Sequence, residues 1–362
     1  MQYTEGQLLD GRYILDKFIG SGSYGEVWVA TDRETELTMA VKIYLSMDPQ
    51  GLSDFKKEFQ VSFNLNHTNL LHANYLGSTA EDNRPYLVMP LCPDGSASKY
   101  IGNADEFILW KFIKDVASGL AYLHDQHPPI IHQDIKPDNI LISQGGDFLI
   151  TDFGISKQLK STLKRSARSL DSAGSISYMG PERFSKQSMP VKASDIWSLG
   201  ATVYELAVGE LPFCGRGGSL LKVGADIPEL PENFSDTLNK VMMSCLANET
   251  WDRPTAKMLE EFASKQLAGE SPQITWKVPN EEMPAVVAKP VAEPEAKPVV
   301  EPEPVPEAPA LTPRPDSVAN GKTVPIAESP AQVAENKPFG AVVWTVAAVA
   351  GIIVGFVLNI FL

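Results

Sequence analysis

The sequence predicts an α+β globular domain followed by two segments of a different nature, and three observations predict it. A glycine-rich stretch near the N-terminus leads into residues that read as a strand, not a helix. From Phe107 to His124, Leu, Phe, Ile, Val and Ala recur at helical spacing, which marks a core helix. Beyond Leu267 the composition changes twice, first to proline and glutamate and then to an uncharged apolar run.

Composition sets the outer bounds. A chain of 362 residues with 43% hydrophobic content can bury a substantial core and still carry extra segments. Its formal net charge of -14 excludes a general nucleic-acid binder, which needs a basic face. Three widely spaced cysteines, Cys92, Cys214 and Cys245, form no disulfide framework or zinc spacing, as expected in a reducing compartment. The acidic N-terminus has no long apolar run, so no secretory signal peptide is expected.

The globular part runs from residue 12 to 267. Residues 268–338 hold about fifteen prolines with repeated Glu, Ala and Val. Too few large apolar groups are present to offset ordering entropy, so a disordered, partly extended linker is expected. A coil of about 70 residues spans roughly 45 Å. Residues 339–362 carry no charge, and Asn359 is their one strongly polar side chain. As a helix they would extend about 36 Å, enough to cross a hydrocarbon core of about 30 Å. One C-terminal transmembrane helix is therefore expected, as a single-pass anchor. Lys337 on its N-terminal side favours a cytoplasmic globular domain, and a prokaryotic inner membrane is the expected setting. Gly351 and Gly355 form a small-xxx-small pair that would let two such helices approach as a homodimer.

Within the globular part, Gly20-Ser21-Gly22-Ser23-Tyr24-Gly25 would form a hairpin tip, because Glu26-Val27-Trp28-Val29-Ala30-Thr31 reads as a strand. Glycines at such a tip let the backbone approach phosphates closely. Met39-Ala40-Val41-Lys42 reads as a further strand, and a lysine in an apolar strand needs a counter-charge or a phosphate. Glu58, on a helical stretch from Asp54 to Leu65, is its natural partner. Tyr86-Leu87-Val88-Met89 leads into Pro90-Leu91-Cys92, a hinge that would meet an adenine ring through the Pro90 carbonyl and the Cys92 N–H.

The densest signal is His132-Gln133-Asp134-Ile135-Lys136-Pro137-Asp138-Asn139-Ile140-Leu141, followed by Thr151-Asp152-Phe153-Gly154. With the earlier motifs, in this order, the sequence resembles the Hanks-type (eukaryotic-like) serine/threonine protein kinase family over nearly all of residues 12–267. The resemblance implies a two-lobed protein kinase fold, with a small β-rich N-lobe (12–89) and a large helical C-lobe (90–267). It implies ATP as phosphoryl donor and protein Ser/Thr hydroxyls as acceptors. Asp134 would orient the hydroxyl and accept its proton, and Lys136 would neutralise the transferring group. Asn139 and Asp152 would hold magnesium, with manganese as the alternative ion. The nucleotide would be held by Ile19, Gly20, Ser21, Gly22, Ser23, Tyr24, Gly25, Glu26, Val27, Ala40, Lys42, Glu58, Pro90, Cys92 and Leu141.

Later segments imply a protein acceptor. Gly174-Ser175-Ile176-Ser177-Tyr178-Met179-Gly180-Pro181-Glu182 resembles the family's substrate platform, with Ser175 placed beside Asp134 and Lys136. Asp195 would brace the catalytic loop, and Arg253 would pair with Glu182. A silent scaffold is the competing function, but such proteins usually lose Lys42, Asp134 or Asp152, and all are present. A small-molecule phosphotransferase would lack the long segment after Asp152 and the Glu182/Arg253 pairing.

Three departures stand out, the mildest being Gly180 where the family usually has alanine. Ser62 occupies a position where the family usually has an apolar side chain, unless Phe63 takes that place. Gln133 replaces the arginine that commonly precedes the catalytic aspartate and pairs with a phosphorylated activation segment; glutamine cannot form that ionic pair. Turnover is therefore expected not to depend strongly on phosphorylation of the segment. Replacing Ser161, Thr162, Ser166, Ser169 and Ser172 together by alanine should leave turnover within a few-fold of wild type. A large loss, reproduced by phosphatase treatment, would refute this.

Overall fold

The computed structural model describes residues 3–22, 25–79, 83–152, 176–185 and 189–279. Ser23 and Tyr24, the stretch from Phe153 to Ser175 and everything beyond Pro279 lie outside the described residues. So, therefore, do the expected membrane helix and its Gly351/Gly355 pair. Among the described residues no helix is long and apolar enough to cross a membrane.

The N-terminal part is an antiparallel sheet. Its strands are β1 (Leu8–Leu9), β2 (Tyr13–Gly22), β3 (Gly25–Asp32), β4 (Thr38–Tyr44), β5 (Tyr75–Ser78) and β6 (Pro85–Pro90), in the order β1-β2-β3-β4-β6-β5. The alternation in β3 buries Trp28, Ala30 and Asp32 on one face. Trp28 and Ala30 meet Tyr13, Leu15, Val41, Ile43, Tyr86 and Val88 in the core of the sheet. Gly22 pairs with Gly25, so β2 and β3 close a tight hairpin whose tip is residues 23 and 24. At Gly25 (φ 152°) a Cβ would overlap the Ile43 carbonyl, so β3 and β4 can come together there only with glycine. Helix α1 (Pro49–Phe63) follows β4 and includes Glu58.

The remainder is mainly helical. Helix α2 (Glu106–His124) is capped by Asp105, whose carboxylate accepts from the Ile108 N–H at 2.8 Å. Its Leu109, Phe112, Ile113, Val116, Leu120 and Leu123 are buried, which matches the periodicity read from sequence. Helix α3 (Lys192–Val208) is buried on almost every face and ends at Gly209 in the left-handed conformation (φ 88°). Helices α4 (Asp236–Cys245) and α5 (Ala256–Leu267) complete the larger core, in which α5 lies against α2. Burial pushes the Cys245 thiol up to about 12, so it behaves as a packing group.

A short hairpin, β7 (Ile140–Ile142) and β8 (Phe148–Ile150), joins the two parts. The loop after α1 is stitched to β8. Leu71 N–H donates to Ile150 O (2.8 Å), Ile150 N–H donates to Asn69 O (2.9 Å), and the Asn69 amide donates to Phe148 O (3.1 Å).

The packed domain also continues beyond Leu267, where the composition predicts a linker. Ile274 and Trp276 pack on the larger core, Val278 is 8% exposed, and the Trp276 ring meets Phe262 at 5.3 Å. Lys277 pairs with Asp252 at 2.6 Å. The alternation of Ile274, Trp276 and Val278 was the available signal, hidden by the prolines around it.

Candidate active site

The loop from His132 to Asn139 is built around a buried carboxylate. Asp195, in the first turn of α3, is 0% exposed. Its Oδ2 accepts from the His132 N–H (2.9 Å) and its Oδ1 from the Gln133 N–H (2.8 Å). His124 Nε2 lies 2.8 Å from Oδ2. These contacts hold Gln133 at φ 66°, a region that non-glycine residues seldom occupy. The side-chain oxygen of Gln133 is buried with no hydrogen-bond partner among the described residues.

The next residues converge on Asp134. The His132 ring accepts the Asp134 N–H at Nδ1 (3.3 Å), which leaves Nε2 to donate to the Thr151 carbonyl (2.9 Å). That assignment makes His132 the neutral Nε2–H tautomer. The Asn139 amide nitrogen donates to the Asp134 carbonyl (2.7 Å) and to Asp134 Oδ2 (3.0 Å). Both its N–H groups therefore face Asp134, and its oxygen faces away. Lys136 Nζ stands 3.9 Å from Asp134 Oδ1. Thr151 N–H donates to Asn139 O (3.0 Å), so the same network fixes the approach to Asp152, itself at φ 60°.

Lys42 lies in β4, opposite Val27 of β3 and Leu87 of β6. Its ammonium contacts both oxygens of Asp152, at 2.6 and 2.7 Å. The sequence named Glu58 as its partner. Glu58 lies on α1, but its side chain, like that of Ser62, is outside what the structure describes. Phe63 is 45% exposed and rests on Phe59 and His72.

Beside this cluster, Ala40, Leu71 and Met89 form a small apolar group with Leu87, Leu91, Cys92, Leu141 and Leu149 packed against it. Ala40, Cys92 and Leu141 were expected to hold the nucleotide. Leu71 and Met89 were not read from sequence, because only the fold brings them to the same surface. Ile19, in β2, is 51% exposed. Burial pushes the Cys92 thiol up, away from the reactive thiolate. Glu26 is engaged by the Trp28 indole N–H (3.2 Å) and Arg84 (3.6 Å), which gives it a role in the sheet.

The site suits a hard divalent cation. Asp152 offers carboxylate oxygens and already holds a cationic group, and Asn139 offers an amide oxygen. Among the described residues no three His, Cys, Asp or Glu gather into a metal cage. Two protein oxygens with phosphate oxygens completing the shell is how magnesium is commonly held.

The protein kinase domain family matches residues 13–262. The chain belongs to the protein kinase family. Mitogen-activated protein kinase kinase kinase 5 of Arabidopsis thaliana is 34% identical over 275 residues, 71% of this chain and 37% of that protein. Human mitogen-activated protein kinase kinase kinase 5 is 31% identical over 278 residues, 71% of this chain and 20% of that protein. Serine/threonine-protein kinase pakF of Dictyostelium discoideum is 30% identical over 246 residues, 66% of this chain and 20% of that protein. This chain thus spans less than two-fifths of the length of these relatives. The family also accounts for the curled sheet and the helical lobe of this kinase domain.

Away from the cleft, Glu182 and Arg253 form the ion pair expected from sequence, at 2.9 Å, with the Arg253 side chain 0% exposed. Arg253 also donates to the carbonyls of Ala247 and Ala193, both at 2.8 Å. Burial pushes the Glu182 carboxyl up, but the Arg253 hydrogen bond and charge outweigh it, so the group sits below its ordinary 4.5. A lowered folded value means stability that is complete above 4.5 and is lost as pH falls through the folded pKa. Glu182→Gln, which leaves the buried guanidinium without its counter-charge, should cost about 3 kcal/mol near neutral pH. Urea unfolding at several pH values should show wild type and variant converging in acid below pH 4.5.

Proposed function

We propose that this kinase domain transfers the γ-phosphoryl group of ATP to serine and threonine hydroxyls of proteins. One observation carries the reading: Lys42 contacts Asp152 at 2.6 and 2.7 Å, Asn139 and Lys136 stand 2.7 to 3.9 Å from Asp134, and the Thr151 N–H ties the two clusters by donating to the Asn139 carbonyl at 3.0 Å. The relatives' names, mitogen-activated protein kinase kinase kinase and serine/threonine-protein kinase, support a protein acceptor.

Each residue then has a task set by its surroundings. Asp134 is held by Asn139 at its main chain and at one carboxylate oxygen, and it accepts the proton of the incoming hydroxyl. The oxygen of that substrate hydroxyl forms a bond to the γ-phosphorus as the bond to the β-phosphate oxygen breaks and ADP departs. Lys136, close to Asp134, neutralises the transferring oxygens. Lys42, released from its pairing with Asp152, would hold the α- and β-phosphates. Asn139 and Asp152 would hold a magnesium ion, which would screen phosphate charge from the two aspartates. Glycines at the β2–β3 hairpin let the backbone lie over the phosphates, and the apolar group around Ala40 and Met89 offers a face to the adenine.

We further propose that residues 339–362 anchor the domain to a membrane. The support is the uncharged apolar run itself, long enough as a helix to cross a bilayer.

The catalytic reading is tested with radiolabelled ATP, magnesium and casein as acceptor. Asp134→Asn should lower turnover by about a hundred- to ten-thousandfold. Failure of wild type to label itself or casein faster than Asp152→Ala would overturn the assignment. For the anchor, the full chain should stay with membranes through alkaline carbonate extraction, and a chain ending at Pro338 should be released. Equal release of both would exclude anchoring.

A further inference from the structure

Residues Ile176 to Pro181 belong to the stretch that would present a protein acceptor, and they are clamped from two sides. On one side is α3. Ser198 Oγ donates to the Tyr178 carbonyl (2.7 Å), and Tyr178 OH donates to Glu205 Oε2 (2.5 Å). On the other side is an unusual turn. Phe213, Cys214 and Gly215 are consecutive left-handed residues, with φ of 55°, 51° and 73°, and Gly217 follows at 56°. Two non-glycine residues in a row in that region are unfavourable and need outside support.

The support is visible. The Phe213 ring stacks on Trp197 of α3, with centroids 5.8 Å apart and planes 18° apart. Trp197 also meets the Arg253 guanidinium, 5.1 Å from its ring centroid, and Arg253 is the residue paired with Glu182.

The turn is also fitted to the platform at backbone level. Ser177 is 6% exposed, and its hydroxyl donates to the Gly215 carbonyl at 2.6 Å. Gly218 N–H donates to the Met179 carbonyl at 2.8 Å. A Cβ at Gly217 would fall 2.5 Å from the Ile176 carbonyl oxygen, and one at Gly218 would overlap Pro181 N. No side chain fits between the two segments, so a shift of the turn is a shift of the platform.

We infer that the turn Phe213–Gly218 is the seat of the acceptor platform, and that Ser177 and Gly218 are positioning residues for the protein substrate. They act through the backbone of Ile176 to Met179, and their contacts are with the platform and turn backbone. The inference rests on the kinase reading above and deepens it by naming what sets acceptor binding.

Steady-state kinetics with casein separate the roles. Ser177→Ala removes one hydrogen bond and should raise KM for casein roughly fivefold. KM for ATP and the slow hydrolysis of ATP by water should stay within about twofold, as should the thermal midpoint within a few degrees. Gly218→Ala should raise KM for casein further, again with ATP parameters preserved. If Gly218→Ala fails to fold, Ser177→Ala still decides. An unchanged KM for casein in Ser177→Ala, or a parallel change in the ATP parameters, would overturn the inference. Wild type that hydrolyses or transfers nothing would instead overturn the kinase reading, so the two failures are distinguishable.

Discussion

Asp195 is a carboxyl group with no access to water, and the loop from His132 to Asn139 takes its shape from it. An unpaired carboxylate at that depth would cost several kcal/mol. Here it is matched by the N–H groups of His132 and Gln133 and by the His124 ring. Hydrogen bonds to a charged acceptor contribute about 1.5–3 kcal/mol each. Together they outweigh the roughly 1–2 kcal/mol that a left-handed residue costs at Gln133. Asp134 follows immediately, so its direction is set by a contact one residue away. The same helix carries Trp197, which supports the turn under the acceptor platform. A single buried helix thus serves both the reacting groups and the surface that would present the acceptor.

The cleft itself is governed by charge balance. In the proposed reaction Asp134 and Asp152 would both stand near a triphosphate, which would repel them. The structure places a cation against each, Lys136 near Asp134 and Lys42 on Asp152. Asn139 adds a neutral donor, which steadies Asp134 without adding charge. In this balance Lys42 is an exchangeable partner: the carboxylate that would take a metal holds the lysine that would take phosphate.

Much of the kinase domain was legible because its signals are local. The run from His132 to Leu141 is contiguous, the helical period of α2 is regular, and the glycines at the hairpin tip lie close in sequence. Contacts between distant segments were harder to read. Lys42 meets Asp152 across 110 residues, a contact not read from sequence, while the side chain of Glu58, the partner that was read, lies outside the described residues. Leu71 and Met89 join the apolar group only through lobe packing. The left-handed turn at Phe213 and Cys214 carries ordinary side chains at its unusual positions, so no residue there announces it. The extension to Val278 was obscured because proline content was weighed above a short apolar alternation.

The way the loop is gripped has an evolutionary consequence. Asp195 takes hold of residue 133 by its amide, so the geometry that aims Asp134 is indifferent to which side chain projects there. Glutamine and arginine face the same backbone demand at that position. A lineage could therefore gain or discard an ionic latch at residue 133 by point substitution, and the chemistry beside it would carry on with its aim unchanged.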